Sequence, residues 1–236
     1  MALFAIGDIH GHLQSLQALL GAHEFSSDDV IVFLGDYVDK GPEVAGTLEF
    51  LSQLSERENF VFLRGNHDQM FIDAYRDSTK VTLWECLAGD SPLISYGAGS
   101  SKEVLKLIPE SHVLFLEEHC KDYYETDKFI LVHGGIQSHL SPAEDDIDHL
   151  YWLTLSVAAP HFSGRTVVCG HSSQESGRIA DLGHTICIDT GITKGMAITC
   201  LNLDDFSFTQ SSEQGVLTRG ILQRAAISQR GANKSE

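Results

Sequence analysis

Five short segments carry most of the chemistry this sequence can do: Gly7-Asp8-Ile9-His10-Gly11, Gly35-Asp36-Tyr37-Val38-Asp39-Lys40-Gly41, Gly65-Asn66-His67-Asp68, His133-Gly134-Gly135 and Gly170-His171. Each sets Asp, Asn or His beside glycine, and glycine lets the backbone turn sharply enough for side chains of separate segments to converge. Such a set offers enough donors for two divalent cations. Mixed carboxylate, amide and imidazole donors suit Mn, Fe or Zn better than the all-oxygen shell of calcium. A carboxylate such as Asp36 can bridge two ions because it has two oxygens. Paired ions about 3.5–4 Å apart acidify a water and clamp phosphoryl oxygens. With an acid for the leaving oxygen, that is what hydrolysis of a phosphate ester at neutral pH requires.

The elements that must position these residues are legible around them. Residues 2–6 form an apolar, β-like run ending at Gly7-Asp8, and Leu13, Leu16, Leu19 and Leu20 then recur at helical spacing. Residues 30–34 predict a strand that stops at Gly35-Asp36, residues 42–55 a helix with Pro42 in its first turn, and residues 60–63 a strand ending at Arg64-Gly65-Asn66. Strand and helix alternate, which is the mark of a βαβ layered α/β fold, and each polar motif begins where a strand ends. Residues 76–118 predict short helices and loops. Strands are expected at 122–125, 129–132, 166–169, 185–188 and 196–203, and a short helix around 216–227 in a polar tail.

In this order the segments resemble the serine/threonine phosphoprotein phosphatase branch of the calcineurin-like metallophosphoesterases, with its GD-x-HG, GD-x-VD-x-G, GNH-[ED], H-[AG]-G and GH elements. Arg64-Gly65-Asn66-His67-Asp68-Gln69-Met70 and Ile188-Asp189-Thr190-Gly191 are similar to the small bacterial and bacteriophage-type members. The resemblance runs from Gly7 to about Gly191. It implies a four-layer αββα sandwich of two mixed sheets flanked by helices, with a catalytic domain over 1–211 and a C-terminal tail over 212–236. It also implies hydrolysis of phosphomonoesters, phosphoserine or phosphothreonine first, by direct attack of a metal-bridging hydroxide. Two divalent ions follow, Mn expected and Fe, Zn or Mg as alternatives. Carried over by position, Asp8 and His10 hold one ion, Asn66, His133 and His171 the other, and Asp36 bridges them. His67 protonates the leaving oxygen and Asp39 holds it, while Asn66 and Lys40 face the substrate phosphate.

Two departures bear on substrate. Lys40 stands where the family usually has Arg, and Thr154 follows Trp152 where a second Arg is usual. A lysine is a point charge and threonine has none, so both bidentate grips on a phosphate dianion are absent. The rival reading is a dinucleoside polyphosphate or other small-molecule phosphoester hydrolase; against the tetraphosphatases stands Asp39, where that group usually carries Ala. A non-catalytic binding module is the more distant rival, and retention of the whole ligand set argues against it.

Plainer roles compete for single residues. A lone Asp after a strand is ordinarily a turn or cap, so Asp39 is open between helix capping and catalysis, and Lys40 between phosphate contact and a solvated loop. His12, His23, His112, His119, His139, His149, His161 and His184 share no pattern and read as surface or structural residues. Glu144-Asp145-Asp146 reads as a solvated helix start. No G-K-[ST] P-loop and no G-x-S-x-G elbow is present. The chain has 236 residues, 42 % apolar and 21 % charged, an ordinary balance for one large domain. No apolar run is long enough for a bilayer, and the first residues lack a basic region, so a cytoplasmic protein without a membrane partner is expected. A net charge of −17 disfavours nucleic acid. Its 5 cysteines, scattered and odd in number, are expected to be reduced thiols.

Overall fold

The apolar runs become strands buried on both faces. The computed structural model describes residues 1–225. Along β1 (Leu3–Ile6), β2 (Val30–Phe33) and β3 (Phe60–Leu63), alternate side chains enter two different cores. Ile6, Ile31, Phe33, Phe60 and Phe62 pack beneath helices, whereas Ala5, Val32 and Leu63 face a second sheet. Burial on both sides explains why the runs are continuously apolar. The helices over the first face are α1 (Leu13–Gly21), α2 (Val44–Leu54) and the series α3 (Asn66–Arg76), α4 (Val81–Ala88), α5 (Ser91–Tyr96), α6 (Ser101–Leu107) and α7 (Glu110–Leu114). These short helices fill the segment where short helices and loops are expected.

The second half supplies β4 (Cys120–Lys121), β5 (Tyr123–Glu125), β6 (Phe129–Val132), α8 (Ile147–Trp152), β7 (Thr166–Cys169), β8 (Ala180–Asp181), β9 (Thr185–Cys187), β10 (Ala197–Asn202), β11 (Ser207–Ser212) and β12 (Leu217–Ile221). A seven-stranded sheet runs β12-β11-β10-β1-β2-β3-β4, and a five-stranded sheet runs β5-β6-β7-β9-β8. Both are mixed: β1 pairs parallel with β2 and antiparallel with β10, and β6 pairs parallel with β7 and antiparallel with β5. Between the sheets Leu34, Leu63 and Val32 meet Leu131, Val168, Ile186 and Ile188. Outside the smaller sheet Ile130, Val132, Val167 and Cys169 pack with Leu150 and Tyr151 of α8. The layers are therefore helix, sheet, sheet, helix, the last one thin.

The carboxy-terminal expectation is corrected. Residues 212–221 are part of the large sheet, and β12 pairs antiparallel with β11 from Ser211↔Leu217 to Ser207↔Ile221. A boundary at 211 would cut this hairpin, and no helix forms at 216–225; residues 226–236 lie outside the described residues. Leu217 and Ile221, four apart, mimic one helical face, yet both are exposed on the edge strand. The Ser15 hydroxyl, which donates to Ser211 O at 2.8 Å, ties α1 to β11. All five cysteines are free thiols, four of them buried. Among the described residues no helix is long and apolar enough to cross a membrane.

Candidate metal centre

The five predicted segments meet at one rim of the two sheets. Asp8 follows β1, Asp36 follows β2, Asn66 and His67 open α3 just past β3, His133 follows β6 and His171 follows β7. Reaching a common point forces sharp turns. His10, Asp36, Asp39, Lys40 and His171 all take positive φ, at 45°, 55°, 66°, 62° and 60°. Non-glycine residues are held there only by surrounding structure, at about 1 kcal/mol or more each, and such strain gathers at functional sites. Among the described non-glycine residues only Phe206 shares that conformation elsewhere. Two glycines give the carboxylates their room: a Cβ on Gly65 would overlap Asp36 Oδ1, and one on Gly170 would overlap Asp8 Oδ1.

Donor atoms of His10, Asp36 and His67 lie within 4.8 Å of one another, and so do those of Asp8, Asp36 and His133. Asp36 belongs to both groups, with Oδ2 3.4 Å from His10 Nε2 and Oδ1 3.3 Å from His133 Nε2. Asp8 groups with His133 and Asp36 in this arrangement, and His10 with Asp36 and His67. Asn66 Oδ1 lies 3.0 Å from both His133 Nε2 and His171 Nδ1. All are buried except His171, which is half-buried.

Whether this pocket fits cations can be judged from its hydrogen bonds. Nδ1 of His10 lies 2.8 Å from Val38 O, and Nδ1 of His133 lies 2.8 Å from Leu34 O. A carbonyl only accepts, so both Nδ1 atoms carry the proton, and in the neutral rings Nε2 points a lone pair at carboxylate and amide oxygens. Lone pairs facing lone pairs among buried side chains need a positive charge between them. Backbone carbonyls anchoring the far nitrogen are the usual support of metal-binding histidines. Burial pulls His133 down, but the charges of Asp36 and Asp8 outweigh it and push its pKa up to about 10. Asp36 is held well below the carboxylate range, because His133, His67 and His10 overcome its burial. Burial, then Asp189, raises Asp8, and burial, then His133, lowers His171 to about 4. The donor set fits two cations sharing Asp36.

Beside it stands an acid–base pair. His67 Nδ1 is 2.8 Å from Asp39 Oδ2, and Trp84 Nε1 donates to Asp39 Oδ1 at 3.0 Å. Asp39 is fully buried and is not the cap of α2, whose N-cap is Glu43. Burial pushes its carboxyl up, against the pull of His67 and Trp84. The Lys40 ammonium stands 3.4 Å from His10 Nε2, so it faces the centre. Thr154 is exposed and bonds Ser156, on a rim loop tied to the His171 turn by the Leu155 N–H, which donates to Ser172 Oγ at 2.8 Å. Trp152 forms part of the wall, its ring 6.0 Å from that of His171.

Three contributors were not foreseen. Asp68 accepts the N–H groups of Asp36, Tyr37 and Gly65 at 2.8, 2.9 and 2.9 Å and so fixes the strained Asp36 turn. Burial and Asp36 raise it to about 7 although those donors favour its charged form. Trp84 comes from the weakly patterned helical segment. Asp189 is a third buried carboxylate near Asp8 and Asp36, flagged in the sequence only by its Asp-Thr-Gly context.

The profile of the calcineurin-like phosphoesterases matches residues 1–190. The chain belongs to that family. It is therefore a metal-dependent phosphoester hydrolase by descent, and its two mixed sheets flanked by helices are the family's architecture. The chain is similar to the asymmetrical bis(5'-nucleosyl)-tetraphosphatase PrpE of Oceanobacillus iheyensis, at 26% identity over 88% of this chain and 91% of that one. It is also similar to serine/threonine-protein phosphatase 1 of Salmonella typhimurium, at 39% identity over 37% of this chain and 39% of that one. Among solved structures, a cold-active protein tyrosine phosphatase superposes with a TM-score of 0.63 at 19% identity, over 92% of this chain and 78% of that one. That likeness concerns the fold.

Proposed function

We propose that the chain hydrolyses phosphomonoesters with alkoxide leaving groups, phosphoserine and phosphothreonine foremost, in a centre holding two divalent ions, Mn first. The observation that carries this reading is the buried His67–Asp39 pair at 2.8 Å. An alkoxide is a strongly basic leaving group and needs a proton as it departs, whereas a departing nucleotide phosphate does not. Asp8, His10, Asp36, Asn66, His133 and His171 would hold the ions, which supply charge neutralisation and an acidified water when bound. Asp39 keeps the proton on Nδ1 of His67 and leaves Nε2 to serve the leaving oxygen. Lys40 and the Asn66 amide approach the phosphoryl oxygens.

A second reading rests on a specific observation. The similarity to the tetraphosphatase of Oceanobacillus iheyensis extends along nearly the whole chain, whereas that to the Salmonella typhimurium phosphatase covers a short stretch. A linear phosphate chain would also need no arginine fork shaped for a dianion. Side-by-side kcat/KM values for a phosphothreonine peptide and a bis-nucleoside tetraphosphate decide between them. Preference for the peptide supports the first reading, and preference for the nucleotide overturns it.

A further inference from the structure

A polar groove of about 410 Å3 opens beside the metal centre, in the size range that takes a small ligand or a pair of side chains. Its inner end is Lys40, which faces His10 and so marks the edge of the phosphate position. Its floor is His12, whose side chain is only 9% exposed. The ring sits close against Gly41, where a Cβ would overlap His10 O and lie 2.7 Å from His12 Nδ1. His12 Nδ1 donates to Ile9 O at 3.0 Å, which leaves a lone pair on Nε2 of the neutral ring. Among the described residues that Nε2 has no hydrogen-bond partner; Glu213 Oε1 is 3.8 Å away. On the floor of an open groove, that Nε2 can accept a hydrogen bond from an incoming donor.

The outer wall adds more acceptors. Glu43 takes one backbone N–H, from Gln14 at 3.3 Å, through Oε2, and Glu213 is 40% exposed. The groove thus has one cation at the phosphate end and two carboxylates with an imidazole lone pair beyond it. Further phosphates would be repelled there, while a side chain rich in N–H donors would be held. The protein's net charge of −17 acts in the same sense at longer range. We infer that this groove selects phosphopeptides with an arginine or lysine close to the phosphorylated residue, the cationic group lying between Glu43 and Glu213 with an N–H on His12 Nε2. The inference rests on the phosphomonoesterase reading and names its substrate class.

The test uses the full chain loaded with Mn and paired phosphothreonine peptides carrying Arg or Glu at positions one to three residues from the phosphate. Two part-exposed charge pairs are together worth about tenfold. The Arg peptide should therefore exceed the Glu peptide by about tenfold in kcat/KM, chiefly through KM, and the ratio should shrink as salt rises from about 20 to 300 mM. The Glu43→Gln/Glu213→Gln double variant should bring the ratio to within about twofold, with p-nitrophenyl phosphate turnover reporting that the centre is intact. A wild-type ratio near one, or a ratio the double variant does not move, overturns the groove while leaving the phosphomonoesterase reading standing. Hydrolysis of the bis-nucleoside tetraphosphate with neither peptide cleaved overturns both.

Discussion

Asp39→Asn separates the acid from the metal centre. The side chain is fully buried, so the near-isosteric amide keeps the packing and removes the charge. Trp84 Nε1 can only donate, and at 3.0 Å it will claim the amide oxygen. The amide NH2 then faces His67 Nδ1, which must give up its proton and become an acceptor. Nδ1 of His67 then has no carboxylate to pair with. A hydrogen bond to a charged group is worth about 1.5–3 kcal/mol, or roughly 10- to 150-fold, and general acid catalysis as a whole about 10²–10⁴-fold. Turnover of phosphoserine should fall by about 10²–10³-fold, and that of p-nitrophenyl phosphate, whose phenolate leaves unaided, by less than about threefold. Steady-state kinetics on both substrates, with metal content measured on the same samples, read this out. Equal losses on the two substrates with full metal content would refute the assignment of the acid.

Other outcomes follow from the same geometry. Asp68→Asn leaves one of three backbone N–H groups without an acceptor, at about 2 kcal/mol; the melting temperature should drop about 4–8 °C, and an unchanged melting temperature contradicts the anchoring role. Gly170→Ala sets a methyl on Asp8 Oδ1, so bound metal should fall while circular dichroism stays near wild type. The pH dependence has a defined sign. His133 at about 10 in the metal-free protein, against 6.5 unfolded, stabilises below pH 6.5 and loses that contribution as pH rises through 10, by about 1.4 kcal/mol per unit. Asp68 at about 7 adds a loss in the same direction, and the lowered His10 and His171 oppose it only below pH 6.5. Bound ions take the place of those protons, so the gain in melting temperature on adding Mn should grow from pH 6.5 to 8.5. A constant gain contradicts that exchange.

How much was legible depends on burial. The runs at 60–63, 129–132 and 166–169 coincide with strands because both their faces are covered and, Thr166 apart, every position is apolar. β11 and β12 escaped because neither carries a continuous apolar run: the buried residues of β11 are Thr209 and Ser211, and on edge strand β12 the exposed Leu217 and Ile221 imitate a helix. At the site, the residues beside glycine at strand ends were visible, and the structure brings all six expected ligands with His67 and Asp39 to one rim. Asp68 stands in its motif without an assigned role because its work is done on backbone N–H groups, which leave no mark in a motif. Trp84 lies 45 positions from Asp39 in a segment without periodicity. His12 read as structural, since its open Nε2 depends on a groove assembled from residues as distant as Glu213.

The shared position of Asp36 between His10 and His133 makes metal stoichiometry the most direct test. Bound metal should be measured by elemental analysis on Mn-loaded protein, on chelator-stripped protein and on Asp36→Asn, with phosphatase activity taken from the same samples. Two ions per chain are expected in the loaded protein, with activity lost on stripping and restored by Mn, and fewer ions with little activity in Asp36→Asn. Full turnover by stripped protein, or two ions retained in Asp36→Asn, would contradict a bridged pair of cations at this site.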